Sequence, residues 1–285
     1  MTAPLVIGEA GWIVDDSMDE QTLLETVGAD FLISLRPAYV RVGDAGLVEV
    51  PGSRVVMVGD TPVGPVGLRW HPVQNIELLR FARRLASKAG STVTAGGVWA
   101  NRLRTWFWFP LEPGMSVIVS AAHNGRGSIS VQLVVDDGTS TARIGDRDEW
   151  TMSFAHGPTL HDRLLNPSAV VDWILEWTSS TRGRLEKLRS SSVTDLDFVR
   201  LSDIMFPAGS TPAKEQNRRE ALDLVAGRWA SSRSAAGGNL LELLFAFCWY
   251  LDAGRDGRQR YLAEQSLDEA NWVARKKTAL WEAIR

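Results

Sequence analysis

The sequence predicts an α+β fold, with an antiparallel sheet and a packed helix in the N-terminal half and a helical C-terminal half. Up to about residue 160, short runs rich in β-branched and aromatic residues alternate with glycine and proline, which is typical of strands and turns. Beyond Pro158 the apolar residues are spaced three and four apart, as on one face of a helix. We therefore assign residues 1–160 to a sheet domain. Residues 161–285 form a helical region packed on it, in the same domain or in a second one.

Local signals define the elements of the first hundred residues. Ser17 and Glu20 have the spacing of a capping box and predict a helix over residues 17–28. Short strands are then expected at residues 31–35, 39–42, 47–50, 54–58 and 66–70. Two prolines and three glycines predict a turn at residues 59–67. Asn75 is a natural N-cap for an amphipathic helix that ends at Gly90.

The remaining strands and helices follow in the same way. Further strands are expected at residues 92–96, 98–109 (a hairpin turning near Asn101), 116–121, 128–135, 142–145 and 150–154. Helix starts are expected at Ser168, Thr194, Ser210/Thr211 before Pro212, Asn239 and Ser266. The segment 240–251 is apolar on nearly all sides and predicts a central buried helix, in which Cys248 packs as core.

Composition narrows the class of protein. The 285 residues carry 31 Lys+Arg and 34 Asp+Glu, a net charge of −3, and 45% are hydrophobic, as in ordinary globular proteins. The single cysteine excludes an intramolecular disulfide and Cys-rich metal sites, and it fits a reducing compartment. We see no leader sequence and no apolar run of membrane-spanning length, so we expect a cytoplasmic protein without a membrane anchor.

The usual catalytic motifs are absent from the sequence. It has no phosphate-binding loop, no nucleophile elbow, no H-E-x-x-H helix, no dinucleotide-binding glycine run and no EF-hand loop. His156 and His161 are separated by a Gly157-Pro158 loop, which lacks the geometry of a helical metal-binding pair. We therefore expect no catalytic residue, no metal and no cofactor.

Carboxylates concentrate at the ends of two predicted strands. Asp136-Asp137 and Asp146/Asp148 could hold Mg²⁺ or act as acid and base, with His123 or His156 beside them. That arrangement would define a divergent metal-dependent nuclease. The Asp-Gly sequence after Asp136 is also a strong hairpin signal and favours a solvated turn.

One predicted strand has the pattern of a nucleic-acid platform. The period of two puts Arg102, Arg104, Trp106 and Trp108 on one face, where rings could stack on bases and guanidinium groups meet phosphates. Alternatively, both tryptophans are core and the arginines project from the turn. Arg80, Arg83 and Arg84 lie on the outer face of the predicted helix at residue 75, either facing phosphates or as a solvated face.

A series of residues runs from Gly11-Trp12 through the segment 66–77 and Thr94-Ala95-Gly96 to Trp106. Their order resembles a phage/plasmid-like family built on a domain of unknown function, over about residues 10–160. Gln74-Asn75 stands at the family's Gln-Asn, His123-Asn124-Gly125 at its His-Asp-Gly turn, and His156 at its Arg-His-Thr segment. The family's cysteine strand and both arginines are missing here. The resemblance implies a phage, prophage or plasmid gene, and it adds Gln74, Asn75, His123 and His156 to the candidate residues.

These observations lead to a functional prediction with two alternatives. The prediction is a non-catalytic DNA-metabolism protein that binds or anneals single-stranded DNA as a homo-oligomer. The order of its elements is similar to that of ring-forming single-strand annealing proteins, a likeness of topology alone. The first alternative is an interaction protein without enzymatic activity that binds a host or phage protein, using exposed tryptophan and arginine side chains as anchors within an apolar patch. The nuclease is the second.

Overall fold

The computed structural model describes residues 11–99, 103–125, 127–145, 147–232, 238–253 and 272–284. The strands are β1 (Trp12–Ile13), β2 (Ile33–Arg41), β3 (Leu47–Val58), β4 (Thr61–Gly67), β5 (Ala95–Trp99), β6 (Arg104–Glu112), β7 (Met115–Ala122), β8 (Ile129–Asp136), β9 (Thr141–Ala142) and β10 (Thr151–Phe154). The helices are α1 (Glu20–Thr26), α2 (Asn75–Lys88), α3 (Arg147–Trp150), α4 (Leu160–Leu165), α5 (Ser168–Ser190), α6 (Asp195–Met205), α7 (Pro212–Ser232), α8 (Leu240–Ala253) and α9 (Trp272–Ile284). The predicted α+β class is confirmed.

The strands form two antiparallel sheets. The main sheet is curled and has the order β1-β5-β6-β7-β8-β10, with the short β9 paired to β8. Strands β5 to β8 follow one another as a meander, so each is bonded to its neighbours in sequence. The second sheet has the order β2-β3-β4.

Helix α2 covers one face of the main sheet. Its buried face includes Leu78, Phe81, Ala82 and Leu85, which pack with β6 and β7. This apolar core continues without interruption into the C-terminal helices, from Val14 to Ala283. Among the described residues, no helix is both long enough and apolar enough to cross a membrane.

Three local predictions in the N-terminal half are wrong at their boundaries. Helix α1 begins at Glu20 because the Asp19 carboxylate, not Ser17, accepts the first free amides. Gln74 is the N-cap of α2, in a capping box with Glu77, because the Asn75 side chain is engaged elsewhere. Residues 59–67 are mostly the edge strand β4, where a proline costs no sheet hydrogen bond.

The C-terminal helices begin largely where the sequence predicts. Ser168 is the first residue of α5, Thr194 caps α6, and Pro212 is the first residue of α7. Helix α8 follows Asn239, whose backbone and side chain bond reciprocally to Glu242. It is the predicted buried helix, and Cys248 within it is fully buried. The predicted start at Ser266 lies outside the described residues.

Candidate functional site

The tryptophans of the predicted nucleic-acid platform are core residues. Alternation along β6 does place Arg104, Trp106 and Trp108 on one face. Trp106 and Trp108 are, however, 0% exposed, and they pack with Trp99 and Ile118 in a second apolar cluster. The expectation that their rings face solvent is therefore wrong. Period-two spacing predicts which side chains share a face of the strand, but it does not predict whether other residues cover that face.

Of the two candidate arginines near the start of β6, Arg104 is described by the structure and Arg102 is not. Arg104 is half-buried: it lies 3.3 Å from Ser120 Oγ, and its guanidinium carbon is 6.0 Å from the centre of the Trp99 ring. Arg102 lies outside the described residues. Single-stranded DNA binding stays a prediction, and Trp106 and Trp108 offer it no stacking surface.

The three arginines of α2 bond to neighbouring elements of the chain. Arg80 pairs with Glu20 of α1 at 2.7 Å. Arg83 donates to the Met18 carbonyl at 2.8 Å, and Arg84 donates to a carbonyl of α4 at 2.9 Å. These contacts fasten α2 to α1 and α4, so a structural role accounts for all three side chains.

The residues of the nuclease alternative lie at opposite ends of the main sheet. Ser116 donates to Asp136 at 3.2 Å near one end of β7, and His123 follows the other end. Seven residues of extended chain separate Ser116 from His123, roughly 23 Å. In the described part of the chain, no three His, Cys, Asp or Glu side chains are placed to hold a metal ion. Asp146 falls outside that part.

At the His123 end, the residues singled out by the family resemblance come together. His123 Nε2 lies 3.0 Å from Asn75 Oδ1 and 3.3 Å from Thr105 Oγ1. The Asn75 amide donates to the Ala29 carbonyl at 2.8 Å, which leaves Oδ1 as the acceptor and puts the proton of His123 on Nε2. Burial lowers the pKa of His123 to about 3, so the ring is neutral.

His156 lies near the contact between His123 and Asn75, at the edge of a groove. Its Nδ1 bonds to the His71 carbonyl at 2.9 Å, and its ring stacks on Trp70 with 4.6 Å between centres. Burial lowers the pKa of His156 as well. The groove, of about 600 Å³, runs between Trp70, Gly52 and the Gly157-Pro158 loop. Gln74 connects the start of α2 to β2, because its side-chain amide accepts from the Ile33 N–H and donates to the Ile33 carbonyl.

A cavity of about 400 Å³, here called the carboxylate pocket, lies at the opposite end of the sheet. Thr94, Trp108, Ser116, Asp136 and Arg189 are among the residues that line it. Burial raises the pKa of Asp136 to about 6, although the hydroxyl of Ser116 favours the charged form. The neighbouring Asp137 is the turn residue that the sequence predicts, since it accepts from the amides of Thr139 and Ser140. The turn was predicted for both aspartates, but the Asp136 carboxyl is largely buried.

The sequence also leaves unrecognised an exposed two-stranded ribbon, residues 39–49, formed by the far ends of β2 and β3. Five large apolar side chains on it are between 45% and 71% exposed: Tyr39, Val40, Val42, Leu47 and Val48. Strand β4 pairs with β3 only from Ser53 onward. The ribbon strands therefore pair only with each other in the described structure, Val40 opposite Val48. The sequence pattern predicts strands here, but it does not indicate that these side chains stay uncovered by the elements that the structure describes.

A buried ion pair joins the last two described helices to the sheet. Lys277 of α9 lies 2.6 Å from the carboxylate of Asp252 in α8, and 2.7 Å from the Thr141 hydroxyl. Asp252 also accepts the Thr141 amide at 2.8 Å. Burial lowers the pKa of Lys277, while Asp252 favours its charged form. A structural link between α8, α9 and β9 therefore accounts for these charges within an otherwise apolar interior.

No family model, no curated protein and no solved structure matches this chain. The resemblance to the phage/plasmid-like family therefore stays a prediction.

Proposed function

We propose that this protein is a non-enzymatic interaction protein that assembles through its ribbon, pairing with the ribbon of a second copy. The observation that carries the proposal is the set of five large apolar side chains exposed on residues 39–49. Apolar side chains grouped on the surface are typical of protein-binding sites. The proposal joins two earlier expectations, the interaction protein and the homo-oligomer.

The backbone of the ribbon supports a partner that pairs as a strand. Strand β2 is at the edge of its sheet, and in the described structure it pairs with β3 alone. Exposed edges of this kind accept further strands, and proteins usually blunt them with lysine, proline or a covering element. Residues 39–42 and 47–50 include one arginine and one glutamate, and no lysine or proline. From Tyr39 onward this edge is therefore open to pairing, whereas Pro37 and a register shift lie just before that point.

The sequence of β2 suits pairing with itself. Two β2 strands related by a two-fold axis at Tyr39 would run antiparallel, with the same residues contributed by both copies. Arg41 would then face Pro37 of the other copy, and Arg36 would face Val42, so that no two arginines oppose each other. The two Tyr39 rings would meet at the axis, where aromatic cross-strand pairs are favourable.

The proposal is tested by sedimentation velocity over a range of concentrations. We expect the wild-type protein to form a dimer, and a Val40→Lys/Val48→Lys variant to be monomeric because lysines disfavour burial of the ribbon. The matched control is Leu196→Lys/Val199→Lys, which places two lysines at exposed apolar positions of α6. This control should remain dimeric. A wild-type protein that is monomeric at every concentration, or a ribbon variant that still dimerises, would overturn the proposal.

A further inference from the structure

We propose that the carboxylate pocket binds a small molecule with an ammonium group, and that Asp136 is the counter-ion of that group. The pocket is formed by the sheet and α5 and is separate from the ribbon, so the inference is independent of the proposed assembly. Asp136 is a carboxylate without a cationic partner among the described residues.

Of the three carboxylates that line the pocket, Asp136 alone lacks a cationic partner among the described residues. Glu112, which also lines it, forms an ion pair with Arg182. Asp137 lies 3.5 Å from Arg228 and caps its own turn. Asp136 receives only the Ser116 hydroxyl at 3.2 Å and the Gly138 amide at 3.3 Å, with no cation of the described chain within 4 Å. A buried carboxylate without a counter-ion is costly, and a bound cation offsets that cost.

The walls of the pocket fit an organic ammonium better than a bare metal ion. Trp108 is fully buried and forms part of the pocket wall, so its indole contributes an electron-rich wall near the ammonium group and not an open stacking face. Thr94 Oγ1 is buried and has no partner among the described residues, so it is available to a polar group of the ligand. The volume of about 400 Å³ suits a compact molecule, since small-molecule sites span roughly 300–1,000 Å³.

The ammonium group could belong to an α-amino acid or to a simple amine, and Arg189 distinguishes the two. This arginine lines the pocket, is exposed, and has no ion pair with the described residues. An α-amino acid would place its ammonium at Asp136 and its carboxylate at Arg189, whereas a simple amine would use Asp136 alone. Both are primary ammonium ligands of the same carboxylate.

Isothermal titration calorimetry with the full chain tests the inference. The probes are n-butylamine and L-leucine, and n-butanol is the neutral control. We expect at least one ammonium probe to bind while n-butanol does not. Asp136→Asn should weaken binding about tenfold or more, because it removes the charge and keeps the shape. Asp60→Asn, at an exposed turn, should leave binding unchanged. If Arg189→Gln weakens L-leucine alone, the ligand is an amino acid.

A second measurement keeps the test decisive if Asp136→Asn fails to fold. The indole N–H resonance of Trp108, assigned with Trp108→Phe, should shift when the ammonium probe is added to wild-type protein, and should not shift with n-butanol. The inference is overturned if neither ammonium probe binds at millimolar concentration. Equal binding to the Asp136→Asn variant, or an unmoved Trp108 resonance in the presence of a bound probe, would overturn it as well.

Discussion

The Nε2–H group of His123 donates a hydrogen bond to Asn75 Oδ1, 3.0 Å away, although 48 residues separate the two in the chain. Asn75 in turn donates to the Ala29 carbonyl, so one amide links the turn after β7, the start of α2 and the segment before β2. Both side chains are almost completely shielded from solvent. The contact therefore helps to hold the segment that leads into β2 against the end of the main sheet.

We expect the Asn75 and His123 side chains to stabilise the fold as a unit. Asn75→Ala removes the shorter of the two contacts of His123 Nε2, leaving the one to Thr105 Oγ1 at 3.3 Å, and it removes the amide that donates to the Ala29 carbonyl. It should lower the free energy of unfolding by about 2–3 kcal/mol. His123→Ala should cost a similar amount, and the double variant clearly less than the sum. Urea unfolding of the four proteins measures the coupling. Strictly additive losses would show that the two side chains act independently.

The buried His123 should make the fold sensitive to mild acid. Its pKa is about 3 in the folded chain and near 6.5 when unfolded, so the unfolded state takes up the proton first. The stability from the neutral ring is complete above pH 6.5 and is lost as the pH falls toward 3, about 1.4 kcal/mol by pH 5.5. His123→Gln keeps a donor for Asn75 and does not titrate. Urea unfolding at pH 7.5 and 5.5 should show a smaller loss for this variant, whereas equal losses would contradict the assignment.

Asp136 should have the opposite pH dependence. Its folded pKa of about 6 exceeds the value of 3.8 in the unfolded chain, so the folded state holds the proton more strongly. This contribution is present below pH 3.8 and is lost as the pH rises through 6, up to roughly 3 kcal/mol. Asp136→Asn should therefore gain stability relative to wild type between pH 4.5 and pH 8, as measured by urea unfolding. A difference that does not change with pH would argue against a buried, titrating carboxyl.

The pair formed by Lys277 and Asp252 should be costly to break from one side. Lys277→Met leaves a buried carboxylate without its cation and should lower the free energy of unfolding by about 3–5 kcal/mol. Lys277→Met/Asp252→Leu removes both charges and should recover much of that loss. Thermal and urea unfolding compare the two variants. A double variant as unstable as the single one would mean that the cost comes from packing and not from charge.

Much of the fold could be predicted from the sequence because local patterns and tertiary structure agree there. The helix starts at Thr194 and Pro212 and the buried segment of α8 rest on caps and on apolar surface, and the structure keeps them. Errors arose where two local signals competed. Ser17 and Asp19 both suit an N-cap, and Asp19 caps α1; Pro62 and Pro65 suit a turn, but lie in an edge strand.

The candidate sites were harder to predict because each depends on which distant residues pack against a given face of a strand. Period-two spacing placed Trp106 and Trp108 correctly on one side of β6, yet the covering of that side is a tertiary property. The same alternation could have indicated Asp136, which ends β8 in line with the buried Gln132 and Val134. The pairing of His123 with Asn75 joins distant parts of the chain, and no local pattern indicates it.

The measurement that tests the account most directly is a cysteine cross-link at the proposed two-fold axis of the ribbon. In Tyr39→Cys the two new thiols would face each other across antiparallel strands, at a separation that a disulfide can span. The native Cys248 is buried, and burial raises the pKa of its thiol to about 12, so it should not compete. We expect a disulfide-linked dimer under mild oxidation for Tyr39→Cys and a monomer for the exposed control Asp60→Cys on a non-reducing gel. A Tyr39→Cys protein that stays monomeric, or cross-links no faster than the control, would contradict it.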